Sequence, residues 1–172
     1  MMLSKIDEAI ISFNNALSLE PSDADTLAYL GYAYLLQEKN QDAFDMLQKA
    51  IQIQPDNFLA RLHIAKYYFK FSKYETAKQF LQDIVETMQD DEIMNMLAVS
   101  YMETNEFENA MGLLSKLVVK YPKNHILLTN LAKCEAKCDK KDEAIEHLRQ
   151  ALLIFDDYSE ALNLLKELNN GR

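Results

Sequence analysis

The sequence predicts an all-α solenoid, a chain of short helices stacked as repeating pairs. Three observations predict it. First, Gly 3 and Pro 3 in 172 residues are too few for a loop-rich or all-β chain and suit uninterrupted helices. Second, apolar residues recur at the 3.6-residue helical spacing in segment after segment. Third, small residues keep two parallel registers: Ala43, Ala77, Ala110 and Ala144 at intervals of 34, 33 and 34, and Gly31, Ala65, Ala98 and Ala132 at the same intervals. Helices approach closely only where the contact side chains are small, so two such registers mark a helix pair repeated four times.

Residues 3–19 read as a helix with Ile6, Ala9, Ile10, Phe13, Ala16 and Leu17 on one side, ending before Pro21. The first full repeat, 22–55, carries Leu27-x-x-Leu30-Gly31-x-x-Tyr34, then Ala43-x-x-x-Leu47, Ala50 and Pro55, with Ser22 as its expected N-cap and Asp23 as favourable charge at the helix start. The second, 56–89, has Ile64, Ala65, Tyr68, Tyr74, Ala77 and Leu81, with Arg61 in place of the large apolar residue near its start. The third, 90–122, has Met94, Leu97, Ala98, Tyr101, Phe107, Ala110 and Leu114, and is one residue shorter. The fourth, 123–156, has Leu128, Leu131, Ala132, Ala144, Leu148 and Ala151, but Glu135 stands where the others carry Tyr and Asp156 where Pro is usual. Residues 157–172 read as a capping helix striped by Ala161, Leu162, Leu165 and Leu168 and stopped by Asn169-Asn170-Gly171.

This pattern resembles the tetratricopeptide repeat (TPR), a helix–turn–helix unit of about 34 residues with W-x-x-L-G-x-x-Y…A-x-x-x-F…P signature positions. Leu27 stands at the Trp position and Leu47 at the Phe position. The resemblance implies a single right-handed TPR array over 1–172: a half repeat (1–21), four full repeats and a C-terminal cap. Ala9-x-x-x-Phe13 with Ala16 and Pro21 matches only the second half of a repeat. The missing partner helix suggests either a piece of a longer array or a face that another molecule covers, through Ile6, Ile10, Phe13 and Leu17.

The functional expectation follows by exclusion and by resemblance. A formal net charge of -9 disfavours nucleic acid, because phosphate binding needs a basic surface. No apolar run approaches a membrane span, and Cys134 and Cys138, alone and four apart, fit a reducing compartment and structural packing better than a redox pair or a metal site. His63, His125 and His147 fall on three helices with different phases, each expected at a helix surface or partly packed; no nucleophile context or phosphate-cradling loop accompanies them. Asp90-Asp91-Glu92 reads as helix capping rather than a metal site. The chain is thus expected to be a non-catalytic, cofactor-free, cytoplasmic scaffold that grips a protein or peptide in a concave groove.

Register with the TPR pattern places the groove at Asp25, Ala28, Tyr32 and Leu35; Leu59, Leu62, Lys66 and Phe69; Glu92, Asn95, Val99 and Met102; and Ile126, Thr129, Lys133 and Ala136. Tyr32, Leu35, Leu62, Phe69, Val99 and Met102 are expected to be substantially exposed, as a binding patch. Of Met88, Met94, Met96, Met102 and Met111, clustered around the third repeat, Met94 and Met111 fall in core register. The TPR clamp for C-terminal carboxylates is disfavoured, because Ala28 and Tyr32 stand where its first Lys and Asn belong. The alternatives are a self-assembling scaffold, as in organelle or secretion complexes, and a helical-repeat RNA binder.

Overall fold

The computed structural model describes residues 2–170, and among these every regular element is an α-helix. In order they are α1 (Met2–Leu19), α2 (Ala24–Leu36), α3 (Asn40–Ile53), α4 (Phe58–Lys70), α5 (Tyr74–Thr87), α6 (Asp91–Glu103), α7 (Phe107–Lys120), α8 (His125–Lys137), α9 (Lys141–Ile154) and α10 (Ser159–Asn170). The fold is the all-α helical-repeat solenoid that the sequence predicts. It divides into two compact units, Met1–Thr87 and Met88–Arg172. The Gly171 of the expected helix stop lies outside the described residues.

The two small-residue registers lie in the cores of the two units. Ala43, Ala65, Ala77, Ala98, Ala110, Ala132 and Ala144 are all without solvent exposure. At Gly31 the approach is so close that a Cβ would stand 2.7 Å from Leu47 Cγ. In the first unit Leu27, Leu47, Ala50, Ala60 and Ile64 form one buried cluster, flanked by Leu17, Phe44 and Tyr68. In the second, Leu128, Leu148, Ala151 and Ala161 do the same, flanked by Leu165 and Leu168 of α10.

Two devices set the helix ends, and both repeat. The side chains of Asp23, Asn57, Asp90 and Asn124 cap α2, α4, α6 and α8, each accepting backbone N–H groups that the first helical turn leaves unpaired. The expected N-cap Ser22 is therefore corrected to Asp23: α2 begins one residue later, and the exposed Ser22 lies in the turn before it. Inside each helix pair the chain reverses through a left-handed residue: Glu38 (φ 61), Ser72 (φ 55), Asn105 (φ 62) and Asp139 (φ 59). The next N–H then reaches back to the helix end: Lys39 to Tyr34, Lys73 to Tyr68, Glu106 to Tyr101 and Lys140 to Glu135, at 3.0, 2.9, 2.8 and 2.8 Å. This closure satisfies a carbonyl at the helix end without glycine.

Residues that break the apolar pattern are matched by partners. Arg61 pairs with Asp83 across α4 and α5. Glu135, buried where a Tyr was expected, meets His147 Nδ1 at 2.8 Å across α8 and α9. Cys134 is buried, as its small-residue site requires, and burial pushes its thiol up to about 12. Met111, expected in the core, is only half-buried, the buried positions of α7 being Ala110, Leu114 and Leu117, whereas Met94 and Met96 are buried.

Candidate binding face

In the first unit α2 and α4 run side by side, and the residues one register step apart on them meet. A row of rings results. Phe13 of α1 stacks on Tyr29 of α2 at 5.9 Å between centroids, with only 10° between planes. Tyr29 lies 6.1 Å from His63 of α4, and His63 stacks on Tyr32 at 4.3 Å and 13°. Lys66 holds its ammonium 5.8 Å from the Tyr32 centroid, within cation–π range. One turn on, the Lys70 Nζ donates to the Leu35 carbonyl at 3.4 Å, and Phe69 meets Tyr74 edge to face at 5.6 Å.

His63 departs most from expectation. It was expected at a helix surface or partly packed, but it is only 6% exposed, because α2 brings both tyrosine rings against it. Neither ring nitrogen has a hydrogen-bond partner. Burial first, and then the neighbouring Lys66 ammonium, lower its pKa to about 4, so the imidazole is neutral.

The expected groove exposure is also corrected. Leu35 and Thr129 are buried, not exposed: Leu35 turns into the core between α2 and its neighbours, and Thr129 is enclosed with its hydroxyl donating to the His125 carbonyl at 2.8 Å. Ala28 is buried too, in the cluster with Leu27, Leu47 and Ile64. Tyr32, Leu62, Phe69, Val99 and Met102 are half-buried. Lys66, Asn95, Lys133, Leu59 and Ala136 are likewise half-buried, while Asp25, Glu92 and Ile126 are exposed. Asp25 accepts from Asn57 Nδ2 at 2.6 Å, and Lys133 pairs with Glu160 at the start of α10, which holds that carboxyl below its usual range. On α1, Ile6, Ile10, Phe13 and Leu17 are half-buried too.

The structure brings Tyr32, Leu62, Lys66 and Phe69 onto adjoining helices of one unit. In the other unit, Asn95 shares a recess of about 240 Å³ with Asp91 and Glu92, where α6, α7 and α8 end or begin. Asp91 bonds Lys120 and Tyr121, so the acidic cluster there is partly engaged beyond its capping role. Sequence reasoning did not assign Tyr29 or His63 to the binding face. The signal was present: two ring-bearing residues 34 apart, each one position beyond an expected groove residue and on the same helical face by the i, i+4 rule.

Helix pairs with small-residue seams and half-open aromatic rows define a class, the helical-repeat scaffold for protein–protein interaction. The comparisons agree. Profiles of the tetratricopeptide repeat match residues 3–58, 34–101 and 96–124. The chain belongs to the tetratricopeptide repeat family. It is 25% identical over 174 residues to the anaphase-promoting complex subunit CDC16 of Saccharomyces cerevisiae, covering 95% of this chain and 21% of that protein. It is 31% identical over 120 residues to anaphase-promoting complex subunit 3 of Dictyostelium discoideum, covering 67% of this chain and 12% of that protein. The chain thus spans about a fifth or less of the length of these curated relatives. Among solved structures it resembles YrrB, described as a TPR protein with an unusual peptide-binding site (TM-score 0.81, 22% identity, 96% of this chain and 86% of that one). It also resembles MamA from Desulfovibrio magneticus RS-1 (TM-score 0.73, 19% identity, 89% and 87%). Members of this family are typically non-catalytic, and no helix among the described residues is long and apolar enough to cross a membrane.

Proposed function

We propose that this chain is a non-catalytic, cofactor-free scaffold that binds a segment of a partner protein on the faces formed by the first helix of each pair. The repeats are taken as 22–55, 56–89, 90–122 and 123–156, with 1–21 as a half repeat and 157–172 as the cap. One observation carries the binding role: Tyr29, Tyr32, Leu62 and Phe69 are all left at least partly open on two adjoining helices of one unit. Apolar rings gathered on a surface cost free energy in water, and burial of that area by a partner recovers it. The peptide-binding site in the name of YrrB and the complexes in the names of the anaphase-promoting subunits add support by analogy.

The test is a peptide array probed with the purified chain, followed by the combined change of Tyr32, Leu62, Phe69 and Val99 to polar residues. Binding should be lost while helicity and melting stay close to the parent. Early melting of the variant would instead make these residues packing residues and move the binding face elsewhere.

A second reading has its own observation. Ile11 is 61% and Leu19 88% exposed on α1, beside half-buried Ile6, Ile10, Phe13 and Leu17, so this helix could dock a second copy. Sedimentation at micromolar concentration should then show a dimer that Ile10→Lys with Phe13→Glu disperses. A monomer whose α1 is still protected from hydrogen exchange would end that reading.

A further inference from the structure

Helix α1 is built like the second helix of each pair, yet the face that takes a first helix is open on it. By register Ala9, Phe13 and Ala16 are the counterparts of Ala43, Leu47 and Ala50 on α3 and of Ala144, Leu148 and Ala151 on α9. Those counterparts are without solvent exposure, and the same places on α5 and α7 are buried likewise. On α1, Ala9 and Phe13 are half-buried and Ala16 is exposed. Leu19 is 88% exposed, against 46% for Ile53 and 41% for Ile154 in the same register. Phe13 stacks on Tyr29 of α2 and Leu17 packs on the core cluster of the first unit, so α1 is seated along that side alone.

What covers such a face is shown inside the chain. On α3 it is α2, whose Gly31 comes so close that a Cβ would stand 2.7 Å from Leu47 Cγ and 3.1 Å from the Ala43 carbonyl oxygen. On α9 it is α8, whose Leu128 and Ala132 share one buried cluster with Ala144, Leu148 and Ala151. The covering helix carries a large apolar residue, a second one three places on, and Gly or Ala directly after that. Leu27-x-x-Leu30-Gly31 on α2 and Met94-x-x-Leu97-Ala98 on α6 are examples. The small residue lets the two backbones approach, and the apolar pair is buried as they do.

We propose that the open face of α1 seats a helix of a partner protein carrying this pattern, so that the two complete a helix pair in trans. The partner's Gly or Ala lies over Ala9 and Phe13 as Gly31 lies over Leu47 and Ala43, and its apolar residues take the exposed side of α1 at Ala16 and Leu19 out of water. A second copy is a poor source of such a helix. Its α2, α4, α6 and α8 are already paired with α3, α5, α7 and α9. By register α10 is the next helix of that kind, but the exposed Lys166 stands where the others have Gly or Ala, and a long charged side chain keeps helices apart. The seat lies on α1, so the proposal stands or falls separately from the groove reading.

The experiment is fluorescence anisotropy with the full chain and a labelled peptide copying residues 90–105, which contains Met94-x-x-Leu97-Ala98. A lactam bridge between positions 99 and 103, on the side away from that stripe, holds it helical. The peptide should bind saturably. Ala98→Leu in the peptide, or Ala16→Leu in the chain, should weaken binding at least about tenfold. Ala16 is exposed, so the chain variant should keep the circular dichroism and melting of the parent. Hydrogen exchange of the parent chain, which needs no variant, should show peptide-induced protection on α1. No saturable binding up to about 1 mM overturns the proposal, as does unchanged affinity after both Leu changes. Protection on α2 and α4 in place of α1 overturns it too, and leaves the groove reading standing. A dimer of the chain alone that the peptide does not disperse assigns the α1 face to a second copy and likewise overturns it.

Discussion

Replacing His63 by Phe isolates the cost of burying an imidazole. Its pKa of about 4 in the folded chain lies well below its unfolded value near 6.5, so the unfolded state binds the extra proton. The sign is that of a depressed base: the full stability is present above about pH 6.5 and is lost as pH falls toward 4. Integrating the linkage between those two values gives a loss of about 2 kcal/mol between pH 7 and pH 5 from this one group. Little of this is screened, because the ring is 6% exposed between Tyr29 and Tyr32. Phe keeps the stack and cannot titrate. Urea unfolding followed by circular dichroism at both pH values, for parent and His63→Phe, reads the difference directly, and proton NMR of the His63 ring reads its titration. The variant should lose about 2 kcal/mol less than the parent on acidification. Equal losses in the two proteins, or a His63 ring that titrates near 6.5, would refute the reasoning.

Leu131→Ala, at a site 3% exposed on α8, should cost about 2–5 kcal/mol in urea unfolding, and a loss inside the range of surface changes would show that the helix faces are misplaced. Gly31→Ala should destabilise by up to about 2 kcal/mol, because the new methyl meets Leu47 at 2.7 Å and this outweighs the roughly 1 kcal/mol gained in helix propensity. A raised melting temperature would mean that α2 and α3 separate freely. Glu38→Gly should do the opposite and stabilise by up to about 1 kcal/mol, since φ 61 suits glycine. Ending the chain before Asp157 removes α10 and uncovers the cluster of Leu128, Leu148 and Ala151, so melting temperature and solubility should both fall. Unchanged values would remove the capping role from α10.

The sequence by itself determined the helices, their pairing and their seams. Gly31, Ala43 and their counterparts recur because two helices meet closely only over small side chains, and that demand is local enough to be written in spacing. The Asp90 cap was legible for the same reason, since it serves the first turn of its own helix. The α2 cap was misplaced by one residue because Ser22 and Asp23 both have capping side chains and spacing does not choose between them. The exposure of the binding face was decided only in the tertiary structure. A helix in a stacked array has neighbours on several sides, and how closely each approaches fixes which flank stays open. That is why Leu35 and Thr129, assigned to the open face by register, turned inward. It is also why Tyr29 and His63, 34 residues apart and not assigned to the face by register, became neighbours in one row. Periodicity states which residues share a side of a helix; only the packed neighbours decide whether water reaches that side.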